Sequence, residues 1–221
     1  MHFSPILTFT LGVLIIGVLA AEVRNLVVST WAYLVHSLFL ACTIGAFAIL
    51  TGHNQLYYWV LATLITKVGF IPLMLRWYII NHQATEVRPL MGFRLSLTVL
   101  SLVLIGFFKI VHTYLDFVAP TEIATLEPYR SSLAVALTVF ALALYILVTR
   151  RDAVKNVIGV CLLENGAHLS LVILAPTLPE TVLLGITSSI VVSAGMLIYI
   201  TARVYDVIGT ADTFKLSRLR G

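Results

Sequence analysis

Seven unbroken apolar runs constrain this chain more than any other feature. They cover residues 3–21, 26–50, 55–79, 92–115, 131–149, 155–175 and 181–202. A helix that crosses a bilayer needs about 20 mostly apolar residues. Membrane strands would instead show alternating stretches of about ten residues, and these runs do not alternate. The pattern predicts an all-α, polytopic membrane protein with seven transmembrane helices. The breaks, at 22–25, 51–54, 81–89, 116–130, 150–152 and 176–180, are polar or contain proline. Pro72 falls inside the third run, where a kink is expected, as helix bundles in lipid tolerate. The first run begins near Met1 without the basic n-region of a signal peptide, so it is expected to remain as helix one.

Composition narrows the class. The chain is 60% apolar and only 11% charged, whereas soluble domains run at roughly 45–50% and about 25%. So few charges cannot cover a soluble globule of this size. A disordered chain would be polar and highly charged. The net charge of +4 argues against a nucleic-acid binder with a basic face. Cys42 and Cys161 lie singly in apolar runs and read as packing residues. A cluster held by cysteines needs about four thiolates, so no iron–sulfur cofactor is expected. The sequence has no phosphate-binding loop, nucleophile elbow or dinucleotide fingerprint, and no catalytic centre of its own is expected. Tyr57, Tyr58 and Trp59 at one end of the third run, with Trp77 and Tyr78 at the other, read as interfacial belts.

Basic residues orient membrane proteins. With seven spans, one side carries Arg24, Arg76, Arg88, Arg94, Arg150, Arg151, Lys155, Arg203, Lys215, Arg218 and Arg220, and the other only Arg130. The bias predicts the N-terminus outside and the C-terminus in the cytoplasm. The acidic loop with Asp116, Glu122 and Glu127 then faces out. A short tail from Val204 is expected along the membrane surface or against a partner.

Ionisable groups inside a span cost about 2.5–3.5 kcal/mol on insertion scales and need a reason. The candidates are Lys67, Lys109 and Glu164, with His36, His112 and His168. At about 1.5 Å per residue, Glu164 lies roughly 18 Å from Pro176 and Lys67 roughly 20 Å from Asn54. Acid and base therefore share a level near the midplane. His36 is also central in its span, while Lys109 is only roughly 10 Å deep and can snorkel. His168 follows Glu164 at i+4, on the same helix face, with Asn165 beside them. Two readings stand. These groups lock helix packing by hydrogen bonds, or they relay protons: burial and a nearby cation act oppositely on a carboxyl and can balance near neutrality. The relay candidates are Glu164, Lys67, His168, Lys109 and His36, with His112 interfacial. A metal held by Glu164 and His168 lacks a further ligand at that depth, so none is expected.

Two segments carry a resemblance. One is the basic loop Arg150-Arg151-Asp152 leading through Lys155 to Leu162-Leu163-Glu164-Asn165-Gly166-Ala167-His168. The other is Thr66-Lys67-Val68-Gly69-Phe70-Ile71-Pro72. Together they resemble the component E family of hydrogenase-4 and related formate hydrogenlyase complexes, over nearly the whole chain. The last three helices are also similar to the K-type subunit of respiratory complex I, with Arg150, Arg151 and Glu164 in the places of its basic loop and central glutamate. K-type subunits have a second glutamate in their third helix. Here that helix offers Ser188, Ser189 and Ser193, which hold water but cannot store a proton, and Lys67 stands in compensation.

The resemblance implies a four-helix membrane region at 1–129, a K-like three-helix region at 130–203 and a cytoplasmic surface tail at 204–221. It implies a non-redox membrane subunit of a complex I-like, energy-converting complex that contributes to proton or cation translocation. Glu164 would be its central carboxylate, Lys67 the charge partner or relay, and His168 the link toward the outside. The implied partners are antiporter-like and quinone- or hydrogenase-anchoring subunits in one hetero-oligomer. The implied location is a bacterial or archaeal cytoplasmic membrane. The alternatives are a scaffold that ties antiporter-like subunits together, a subunit of a cation/proton antiporter, or a self-contained transporter.

Overall fold

In the computed structural model, residues 5–82, 92–121, 126–209 and 211 are described. Arg88, Glu122, Lys215, Arg218 and Arg220, and with them most of the tail, lie outside the described residues. Among the described residues all regular elements are helical. They are α1 (Pro5–Glu22), α2 (Leu26–Thr51), α3 (Gln55–Thr63), a π-helical segment (Leu64–Phe70), α4 (Ile71–His82), α5 (Phe93–Thr113), α6 (Leu115–Val118), α7 (Tyr129–Thr149), α8 (Ala153–Leu174) and α9 (Glu180–Ile208). Seven spans are long and apolar enough to cross a membrane, with α3, the π segment and α4 forming one continuous span, Gln55–His82. The protein is thus an all-helical, multi-pass membrane protein. α6 is a short turn of helix where the sequence predicts loop, and α9 runs on past the expected boundary at 203.

Local chemistry sets several boundaries. The Asn25 side chain caps α2 by accepting from the backbone N–H of Val27 at 2.9 Å and Val28 at 3.2 Å. Asp152 caps α8 in the same way through Val154 and Lys155. Such side-chain oxygens satisfy amides that the first helical turn leaves without partners. α2 ends at Gly52, whose φ of 67° is left-handed, a conformation that costs glycine little.

Pro72 acts differently from a simple kink. It has no N–H, and its ring crowds the carbonyl four residues back. The preceding turn is widened, so that the Ile71 N–H bonds to Thr66 O, five residues back. That widening is the π segment, and Lys67 sits in it.

α1 packs along α2 and α7, α7 along α8, and α2 along α8, so the helices on both sides of the expected boundary near residue 130 share one interior. One apolar cluster, including Leu26, Leu75, Ile146, Ile158 and Ile198, lies toward the end that carries the basic residues. The second, including Ile6, Phe47, Leu56, Val139 and Ile173, lies toward the other end. The midplane residues fall between these two layers. α7 and α8 touch closely at Gly166: a Cβ there would stand 2.8 Å from Ala136 O and 2.9 Å from Phe140 N. Backbone atoms cannot move aside, so only glycine fits. By contrast, α5 and α9 expose much of their apolar surface, including Leu102, Ile105, Leu184, Val192 and Met196.

Candidate functional site

Lys67 and Glu164, expected at one level of the membrane, lie together in the structure. The π segment turns Lys67 inward, where it is 0% exposed. Its Nζ lies 2.5 Å from Glu164 Oε2 and 2.7 Å from His168 Nδ1. Glu164 and His168 are one helical turn apart on α8, with Nδ1 3.9 Å from Oε1. An ammonium group has only donors. It therefore donates to His168 Nδ1, which places the proton of the neutral imidazole on Nε2. Lys67 thus bridges a carboxylate and an imidazole, and all three share one buried contact.

The close contact leaves much of the polar chemistry unused. Both Glu164 oxygens, His168 Nε2, Asn165 Oδ1, His36 Nε2 and Thr63 Oγ1 are buried without a hydrogen-bond partner among the described residues. The Lys67–Glu164 approach is a short ion contact. Buried polar atoms are nearly always paired, often through internal water. Those on Glu164, Asn165 and His168 lie together on one stretch of α8, and such a group marks a place where water is accommodated.

Glu164 is not sealed. Its side chain is 18% exposed and faces a cleft of about 500 Å³ between α8 and α9, lined also by His168, Gly185, Ser189 and Ser193. Two of the three serines noted in the sequence therefore stand beside the carboxyl group. Ser188 is exposed and bonds back to Gly185 O instead.

The other candidates lie apart. His36 is fully buried on α2, where Nδ1 meets Val13 O at 2.7 Å. A carbonyl only accepts, so Nδ1 carries the proton and His36 ties α2 to α1. Lys109 is on the exposed face of α5, away from Lys67 and Glu164. His112 is partly exposed near Glu127, at 3.8 Å. Among the described residues, no three His, Cys, Asp or Glu side chains gather into a metal-ion site.

Two expectations change. Trp59 and Tyr78 are buried, while Tyr57, Tyr58 and Trp77 are exposed as an interfacial belt requires. Trp59 packs edge-on against His168, with ring centroids 4.8 Å apart. It walls the site.

The second change concerns charges that the sequence assigns to loops. Glu22 and Arg150 form a buried ion pair, each with a 5% exposed side chain. Ser96 Oγ donates to Glu22 Oε1 at 3.1 Å, and Arg150 donates to Ser96 Oγ at 3.2 Å. The Tyr145 hydroxyl lies 2.9 Å from the same serine. Lys155 is also buried. Its Nζ donates to Ala20 O and Ser29 Oγ, each at 2.7 Å, joining α8 to α1 and α2. Helix spacing offered one signal for it: Lys155, Ile158, Leu162 and Asn165 share a face of α8.

Comparison with known proteins agrees with the resemblance read from the sequence. The family model for NADH-ubiquinone/plastoquinone oxidoreductase chain 4L matches residues 131–221. Hydrogenase-4 component E of Escherichia coli K12 is 28% identical over 201 residues, 90% of this chain and 90% of that one. The proteins of that name from Escherichia coli O157:H7 and Shigella flexneri match to the same extent. No solved structure matches the chain. The chain is therefore similar to hydrogenase-4 component E along most of its length, with a chain 4L-like C-terminal part.

Proposed function

We propose that this protein is a membrane subunit of a complex I-like, energy-converting redox complex of the hydrogenase-4 type, and that it carries part of a transmembrane proton path. The observation behind this reading is the three-way contact of Lys67 with Glu164 and His168 at mid-depth, between two apolar layers. Charged groups at that depth are costly and are kept where ions or protons move. In this reading, a proton arriving at Glu164 removes the negative charge facing Lys67. The Lys67 ammonium then passes a proton to His168 Nδ1, and His168 releases its Nε2 proton onward. Lys67 recovers a proton from Glu164, and the cluster returns to its starting charge; His168, left with its proton on Nδ1, is reset when that proton returns to Nε2 by way of water or a turn of the ring. Trp59 and the flanking apolar layers keep bulk water from short-circuiting the step.

The basic bias orients the chain with its N-terminus outside and its C-terminus in the cytoplasm, in a bacterial or archaeal cytoplasmic membrane. The regions 1–129 and 130–203 then act as a four-helix extension built onto a K-like core. The exposed apolar faces of α5 and α9 meet lipid and the antiporter-like and anchoring subunits of the same hetero-oligomer. His36 holds α1 to α2 beside the path. Lys109 lies on the outer surface, toward lipid or a partner.

The test is Glu164→Gln in the assembled complex, reading redox-driven proton pumping in vesicles beside the amount of complex. An assembled complex that no longer pumps supports the relay. Full pumping would sink it, and loss of assembly with normal pumping per complex would favour a scaffold.

A further inference from the structure

α2 carries a second set of polar groups that the three-way contact does not use. Ser29, Tyr33 and Ser37 recur every four residues, and all are 0% exposed. Four residues advance a helix by about 6 Å and nearly one full turn, so the three form one stripe along its axis. The stripe faces α8. At one end, Ser29 Oγ accepts from buried Lys155 Nζ at 2.7 Å and donates to Ala20 O at 2.6 Å. At the other end, Asn165 Nδ2 reaches Ser37 Oγ at 3.5 Å, and Asn165 adjoins Glu164 in the chain. The Tyr33 hydroxyl stands between them, close to Ser37 and the Cys161 thiol and within electrostatic range of Glu164. It makes no hydrogen bond of full geometry. Along α8, Lys155 and Glu164 are nine residues apart, about 13 Å at the helical rise. The stripe covers that interval.

A stripe built only to lock two helices would pair its groups across the interface. Ser29 and Ser37 do so, with Lys155 and Asn165, whereas Tyr33 OH and Asn165 Oδ1 are buried without a full hydrogen bond, and the Glu164 carboxylate meets only the charge contacts of Lys67 and His168. An interior that leaves such atoms in a row accommodates water between them.

We propose that Ser29, Tyr33 and Ser37 of α2, with intervening water, form the path by which a proton passes between Lys155 at the basic end and Glu164 at mid-depth. This inference rests on Glu164 being the relay carboxylate. Each hydroxyl accepts a proton on one side while giving up its own on the other, so none changes charge. Lys155 ends as a neutral amine and Glu164 as a neutral acid. Lys155 then regains a proton from the basic end, beside the Glu22–Arg150 pair.

The test is Tyr33→Phe, which keeps the ring and removes the hydroxyl, in the intact complex. It is run beside Glu164→Gln, with assembly, pumping rate and protons moved per electron pair all measured in vesicles. The expected result is a normally assembled Tyr33→Phe complex whose pumping rate falls at least about tenfold, in line with the loss of a positioned proton donor, with fewer protons moved per electron pair. Unchanged pumping in Tyr33→Phe while Glu164→Gln is inactive overturns the α2 path and leaves the Glu164 relay standing. Unchanged pumping in Glu164→Gln overturns both. If Tyr33→Phe fails to assemble, Ser37→Ala is read in its place with the same outcomes.

Discussion

Replacing Glu22 with methionine should destabilise this protein far more than a change at the end of a helix normally does. Glu22 Oε1 accepts from both Arg150 and Ser96, and both members of the ion pair are 5% exposed. Removing the carboxylate leaves the guanidinium buried with Ser96 as its remaining contact within the cluster. Breaking a buried pair from one side costs about 3–5 kcal/mol, whereas an exposed pair contributes at most about 1 kcal/mol. For a chain of this size, that corresponds to a fall of about 6–20 °C in melting temperature. Arg150→Met should cost a similar amount for the mirror reason. The double variant, Glu22→Met with Arg150→Met, should recover most of the loss, because a buried pair replaced by apolar side chains is often neutral or better. The assay is thermal denaturation of the purified complex in lipid nanodiscs, read as a double-mutant cycle. Single variants that each lose less than about 1 kcal/mol, with no coupling, would refute the reasoning and return the pair to the role of an exposed topology signal.

Other predictions follow from single contacts. Gly166→Ala forces a Cβ against Ala136 O and Phe140 N and should cost about 1–3 kcal/mol as an overpacked contact, visible as reduced yield of assembled complex. Lys67→Met removes the ammonium shared by Glu164 and His168 and should abolish pumping in vesicles in complexes that still assemble. Lys109→Gln, on the exposed face of α5, should leave pumping unchanged in the same assay. Asp152→Ala deletes the α8 cap and should cost about 1 kcal/mol, read from the melting temperature.

The seven spans were legible because lipid admits few solutions: apolar runs of sufficient length must be helices. The expected run at 155–175 matches α8, Ala153–Leu174, closely, and Thr181–Ile208 overshoots the expected end because Arg203 and Asp206 tolerate a helical end at the interface. The meeting of Lys67 and Glu164 was also legible, since counting residues from a span's end measures depth. That count says nothing about which way a side chain points. Lys109, expected at shallow depth with a side chain able to snorkel, faces outward. Trp59 and Tyr78 sit at interfacial positions and yet face inward. Glu22, Arg150 and Lys155 were hidden for the converse reason. Each lies near a helix end, where charge usually meets water, and only the packing of α1, α2, α5, α7 and α8 encloses them. The π segment was half visible: Pro72 signalled a disturbed helix, but not that the disturbance would turn a lysine inward.

The central claim is that Glu164 gains and loses a proton as the complex turns over. Redox-difference infrared spectroscopy of the intact complex reads this directly, through the stretching band of a protonated carboxyl group. The account predicts such a band, shifted in deuterated water, present in the wild-type complex and absent from Glu164→Gln. A spectrum in which Glu164→Gln leaves every carboxyl band in place would contradict it.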